Sequence, residues 1–157
     1  MNRFFRKFRL VSIDVFIYHM VKYNEFQLPK FKYTIQRENI HNKTRFFIKD
    51  LNTLVHESYV FKKVFLLKSI HKNGPVIGDC FTNKQYRGQA IYPVVINYIA
   101  KHLLENNSKE VFVVVNKSNK SSIKGIEKAG FDKLASIKAK RWLWFYSKRE
   151  INYFNRK

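Results

Sequence analysis

One cysteine in 157 residues leaves Cys80 without an intrachain partner, so no disulfide framework holds this chain together. Glycine (5) and proline (3) are scarce, and no internal repeat or low-complexity linker divides the sequence. A single domain over residues 1–157 is therefore expected. Acidic residues are the other shortage, 11 against 31 Lys and Arg, for a net charge of +20. The front of the chain is too charged and its apolar stretch too short for a transmembrane span. No positive, apolar, small-residue pattern of a cleaved signal peptide opens it, and a cytosolic setting is expected.

Aromatic residues are abundant: 15 Phe, 9 Tyr and 2 Trp give far more apolar area than a disordered chain carries. The basic excess is spread rather than clustered. Residues 1–49 hold 11 basic and 3 acidic groups, 50–109 hold 8 and 4, and 110–157 hold 12 and 4. Two readings stay open, a solvated basic surface and a surface for a polyanion. A nucleic-acid module would use exposed aromatics such as Phe4, Phe5, Trp142 and Trp144. The chain has no zinc-ligand spacing, RNA-recognition aromatic motif or helix-turn-helix wording to support it.

From Asn2 to Tyr23, Phe4, Phe8, Val11, Val15 and Tyr18 recur at helical spacing beside Arg3, Arg6, Lys7 and Arg9, while Leu10, Ile13, Ile17 and Met20 form a second apolar row. The segment reads as an amphipathic helix, with peripheral contact to the inner face of a membrane as one use, as a buried helix, or, from Val11 to Tyr18, as a strand. Extended runs follow at Phe31–Arg37, Phe46–Ile48, Leu54–Phe61 and Val64–Leu67, then the Asn73-Gly74-Pro75 turn and a strand over Val76–Thr82. A helix is expected from Gln89 to Glu105 on the face Ile91, Val94, Val95, Tyr98, Ile99 and Leu103, with Pro93 tolerable near its start. The unbroken run Val111–Val115 reads as a strand covered on both faces. A second helix, Asn119 to Ala129, starts among capping residues and stops at Gly130. Leu134–Ala139 and Trp142–Tyr146 close the pattern as strands, and the tail from Ser147 is polar and basic. The order implies an α/β domain with a mixed sheet flanked by helices.

The chemical signal lies between the Val76–Thr82 strand and the first helix, in Gln85-Tyr86-Arg87-Gly88-Gln89-Ala90. Successive backbone N–H groups leading into a helix N-terminus make an anion site, and phosphate is the natural guest. The run resembles the Gln/Arg-x-x-Gly-x-Gly/Ala loop of the GNAT superfamily of N-acetyltransferases. Downstream, Asn119, Ser122, Ile123, Glu127, Lys128, Ala129, Gly130 and Phe131 are similar to that family's Asn-x-x-Ala helix ending in Gly-Phe. The likeness covers roughly Val76 to Phe131, about a third of the chain.

The resemblance implies a mostly antiparallel central sheet flanked by helices and the binding of acetyl-CoA or another acyl-CoA. Amides of Arg87 to Ile91 would hold the pyrophosphate, with Gln85, Tyr86, Gln89 and Ala90 on the same loop. Pantetheine would run beside Cys80 and Thr82, with Asn119 and Ser122 near the thioester. The family often carries a tyrosine as the thiol's general acid where this chain has Ile126. Polar candidates for the amine side are Asp79, to hold an ammonium or take its proton through water, and His56, beside Glu57, as a base of near-neutral pKa. A nucleophilic role for Cys80 lacks an identifiable activating base, so direct transfer is expected, with no metal. His56-Glu57-Ser58, Ile77 to Thr82 and Tyr86 to Pro93 look like a branch tied to surface-polysaccharide synthesis, which implies a small-molecule amine acceptor such as an amino sugar. Polyamine or histone-tail acceptors fit less well, since they want carboxylates around a cation. The alternative within the resemblance is a CoA-binding protein that has lost catalysis.

Overall fold

A computed structural model describes residues 11–23, 31–142 and 145–154. Among these residues eight strands form one open, mostly antiparallel sheet: β1 (Val11–Met20), β2 (Gln36–Ile40), β3 (Lys43–Asp50), β4 (Thr53–Phe61), β5 (Val76–Thr82), β6 (Val111–Asn116), β7 (Asp132–Trp142) and β8 (Phe145–Tyr153). Their order is β2-β3-β4-β5-β6-β1-β7-β8. Three helices accompany them among the described residues: α1 (Phe65–Lys68), α2 (Ile91–Glu105) and α3 (Lys120–Lys128). The architecture is α/β, as the order of apolar runs implies. Among the described residues no helix is long and apolar enough to cross a membrane.

The sheet separates two cores. On one face, Ile91, Val95, Ile96 and Ile99 of α2 and Ile123 and Ile126 of α3 pack on Tyr18, Ile77, Val111 and Val113. On the other, Leu66, Leu67 and Ile70 in and after α1 pack on Ile17, Phe112 and Ile137. Alternating residues of β6 thus enter different cores, which is why Val111–Val115 carries no polar position.

β1 corrects the helical readings of the N-terminal segment. It lies between β6 and β7, antiparallel to both, with Ile17 opposite Val114 and Ala135. Its two apolar rows have period two: Val15 and Ile17 face the α1 side, Phe16, Tyr18 and Met20 the α2 side. Such alternation, covered on both faces, satisfies a central strand, whereas a helix would turn only one row inward. Residues 1–10, on which the membrane-surface reading leaned, lie outside the described residues, as do the side chains of Trp142 and Trp144.

Three other expectations change. Residues 31–35 are not in a strand, and pairing begins at Gln36. Val64–Leu67 is not extended, because Val64 leads into the short helix α1 that buries Leu66 and Leu67 under the sheet. The polar stretch from Ser147 belongs to β8, whose ladder with β7 supplies its backbone partners.

Candidate functional site

β5 and β6 run parallel but pair only at Val76 with Phe112 and Ile77 with Val113. The cause lies in β5. On its other side Tyr59 pairs with Gly78 and Glu57 with Phe81, so Asp79 and Cys80 together oppose Ser58. This β-bulge, with Asp79 at φ 48°, bends the strand where the parallel ladder stops. Past the bulge, Cys80 and Thr82 border a cleft of about 570 Å³ whose other walls are the loop into α2 and the exposed flank of α3.

Asn83 ends β5 by accepting from the Gln85 amide at 3.2 Å and donating to the Leu54 carbonyl at 3.3 Å, which sets a single 3-10 turn over Lys84–Tyr86. The loop then takes two left-handed residues, Gly88 at φ 83° and Ala90 at φ 55°. A left-handed alanine costs roughly 1–2 kcal/mol, a strain that stores itself at functional sites more often than elsewhere. Gly88 has open space where a Cβ would be, so this glycine is needed for its backbone angle and not for room. Ala90 offers no side-chain cap to α2. The amides of Gly88, Gln89 and Ala90 have no acceptor among the described residues. Pro93, in the first turn, has no N–H to leave unpaired. The result is a row of free donors at the positive end of a fifteen-residue helix, which suits an anion.

Among the residues singled out from the sequence, Cys80, Thr82, Tyr86, Arg87, Gly88 and Ala90 line this cleft. Ile91, Asn119 and Ser122 line it too. The Arg87 amide is already bonded to the Lys84 carbonyl at 3.3 Å, so the open donors begin one residue later than expected. The Arg87 guanidinium donates to the Thr82 carbonyl at 3.1 Å, tying the loop to β5. Gln85 is exposed and outside the lining, and Gln89 faces a neighbouring hollow, where its side-chain oxygen accepts from Tyr33 at 3.1 Å. Asn119 caps α3 with Oδ1, accepting from the Ser122 amide at 3.2 Å, which leaves its Nδ2 group outside that cap.

His56 does not line the cleft. It is buried under it, Nδ1 at 2.8 Å from the Thr82 hydroxyl and Nε2 at 2.8 Å from the Ser58 hydroxyl. Burial holds its pKa down at about 4, so the ring is neutral at pH 7 and takes a proton from an ammonium poorly. Its role as a base is replaced by that of a support for Thr82. Glu57 is occupied by Arg45, whose Nε donates to it at 2.9 Å. Asp79 is exposed on the bulge, beside the cleft rather than in its lining. Cys80 is pushed up to about 12 by burial, which suits a packed thiol and not a nucleophile.

The sequence did not single out Tyr92, Ser121, Gly125 or Lys128 as site residues, yet all four line the cleft. Tyr92 and Gly125 are one feature: a Cβ on Gly125 would stand 2.6 Å from Cδ1 of Tyr92, so the glycine makes room for the ring. Burial raises the Tyr92 phenol well above its ordinary value and keeps it protonated. Its hydroxyl has no hydrogen-bond partner among the described residues. The signal available in the sequence was a glycine inside an otherwise regular helix, which asks for a close neighbour. Ile126, next in the chain, is fully buried in the core. The chain matches no protein-family model and no curated protein.

Proposed function

We propose that this cleft binds an acyl-CoA, such as acetyl-CoA, and that the protein transfers the acyl group directly to a primary amine, in the manner its resemblance to the GNAT superfamily implies. One observation carries the reading. The strand edge freed by the β5 bulge, the loop residues Gly88 and Ala90 with their open amides and the residues Asn119 and Ser122 all border one continuous cleft. A ligand that is an anion at one end and an extended, amide-bearing chain at the other uses each of these surfaces.

In this reading the pyrophosphate rests on the Gly88–Ala90 amides and the pantetheine follows Cys80 and Thr82. Amine attack on the thioester carbonyl forms the new C–N bond and breaks the C–S bond. The proton that the attacking nitrogen sheds passes through water in the open cleft to the departing thiolate, since burial makes the Tyr92 phenol too weak an acid for that task and Ile126 has no proton to give. Asp79, exposed at the bulge, is the carboxylate on the amine side. An amino sugar is the acceptor class that the resemblance favours. Ile126 also supports a second reading, acyl-CoA binding without turnover.

Calorimetry at moderate salt tests the cofactor half, with an unrelated polyphosphate as control because a chain of net charge +20 attracts any polyanion. About one saturable acetyl-CoA site per chain, surviving salt and exceeding the control, is the expected result. Gly88→Glu aims a carboxylate into open space at the amide row and should abolish that site. Unchanged specific binding in this variant would remove the loop from the site.

A further inference from the structure

The basic residues are spread along the sequence, but the fold gathers unpaired ones on one face. α3 carries Lys120, Lys124 and Glu127 at i, i+4 and i+7, a single stripe on the helix. Glu127 fixes the direction of that stripe. It accepts from the Tyr18 hydroxyl at 2.7 Å and lies 3.7 Å from Lys133 Nζ, so the stripe is turned toward β1 and β7. Just ahead of α3, Lys117 meets Asp14 at 2.7 Å, and Asp14 pairs with Lys138 in the β1–β7 ladder. Lys140, two residues further along β7, shares that strand face. The flank of α3 and the adjoining strands thus present Lys117, Lys120, Lys124, Lys133, Lys138 and Lys140 together. We propose that this lysine face docks on a membrane surface rich in anionic lipid. The inference is independent of the acyl-CoA reading of the cleft.

Unbalanced charge carries the argument. Three carboxylates lie among the six lysines: Asp14, Glu127 and Glu150, the last opposite Lys138 in the β7–β8 ladder. Elsewhere cations are matched, Arg45 by Glu38 and Glu57, Lys72 by Glu110 and Lys101 by Glu105. Lys120, Lys124 and Lys138 are exposed and have no carboxylate partner among the described residues. Like charges four residues apart destabilise a helix, and the first turn of α3 holds a lysine and no acid where the helix dipole favours an acid. An anionic surface relieves both conflicts.

A lipid surface suits this face better than a nucleic acid. Its cations are lysines, point charges that meet headgroups in any orientation, whereas arginine forks supply the directed contacts of nucleic-acid sites. The Phe16 ring is not open for a base to stack on, since Lys133 Nζ stands 4.4 Å and Lys117 Nζ 5.3 Å from its centre. Phe154, 41% exposed, packs edge-on against Phe16 at 6.0 Å and gives the face an apolar anchor at headgroup depth. The cleft opens on the other flank of α3, past Ser121, Ser122 and Gly125, so docking leaves it accessible.

The test is co-sedimentation of the full chain at moderate salt with phosphatidylcholine vesicles containing about 30% phosphatidylserine, and with phosphatidylcholine alone. The wild type should bind the anionic vesicles and not the neutral ones. Lys120→Gln/Lys124→Gln/Lys138→Gln should lower that binding about 100-fold. Lys62→Gln/Lys63→Gln/Lys68→Gln removes the same charge at and before α1, on the opposite side of the sheet, and should change it by less than about threefold. Arginine at positions 120, 124 and 138 should restore binding. Equal losses in the two glutamine variants would reduce the effect to net charge and overturn the proposal. So would a wild type that ignores anionic vesicles or binds neutral ones as well. An oligonucleotide whose affinity falls in Lys120→Gln/Lys124→Gln/Lys138→Gln while vesicle binding persists would assign the face to nucleic acid and overturn it too.

Discussion

His56 lies between two hydroxyls that serve a neutral ring well, because Ser58 and Thr82 can each donate or accept. The folded pKa is about 4, below the roughly 6.5 of an unfolded histidine. Between these values the unfolded chain binds the proton and the folded one does not. The associated stability is therefore complete above about pH 6.5 and is lost as pH falls toward 4, a loss of about 3 kcal/mol. His56→Gln keeps hydrogen-bonding capacity but does not titrate, so urea midpoints across this window should fall less steeply in the variant. Equal slopes would assign the acid sensitivity to other groups. Cys80 is expected to resist alkylation at neutral pH in the native protein and to react once urea unfolds it, since its thiol is pushed up to about 12 by burial. Rapid native labelling would contradict that burial.

Between α2 and α3 the contact that shapes the cleft is the Tyr92 ring against Gly125. Alanine in a helix interior ordinarily gains about 1 kcal/mol over glycine. Here the added methyl meets ring carbons at 2.6 and 2.8 Å, and relieving such overpacking typically costs 1–3 kcal/mol. Gly125→Ala alone should therefore destabilise the protein, whereas in a Tyr92→Ala background the same change should stabilise it. A double-mutant cycle by denaturant unfolding reads the sign reversal, and additive effects would refute the contact. The same two helices are joined by Asn97, buried in α2, whose Nδ2 donates to the Ala129 carbonyl at 2.9 Å. That bond holds the end of α3 against α2 and so fixes the width of the cleft they border.

At the scale of the whole molecule, the N-terminal strand decides whether there is one sheet or two pieces of one. Among the described residues β1 alone joins β6 to β7, so the β7–β8 hairpin reaches the rest of the sheet through it. Ile17→Pro removes a ladder donor in this central strand and introduces a ring into a fully buried position. Loss of cooperative unfolding, seen by circular dichroism on heating, is the expected outcome. A variant that melts cooperatively near the wild-type temperature would mean that the strand is dispensable.

Much of the second half of the molecule was legible from local pattern, because its elements are long, periodic and clearly ended. Val76–Thr82, the helix beginning near Ile91, the run Val111–Val115 and the Asn119 cap all stand close to where their residues imply. Residues 11–20 were ambiguous for a physical reason: with apolar groups at nearly every position, both the helical and the strand period are populated, and only the cores on the two faces choose between them. The loop ahead of α2 was likewise readable from Arg87-Gly88-Gln89-Ala90, while its left-handed Ala90 was not, since alanine is no signal for that angle. His56 and Cys80 show the limit most plainly. Sequence determined their chemical types, but protonation depends on how much water and charge surround a group, and the turn of β4 and β5 beneath α2 set that. Composition and local periodicity thus determined the class of fold and the place of the loop that leads into α2, because both arise from neighbours in the chain. Tertiary structure decided the insertion of β1, the meeting of Tyr92 with Gly125 and the lysine face of α3 and β7, because each joins residues far apart in sequence.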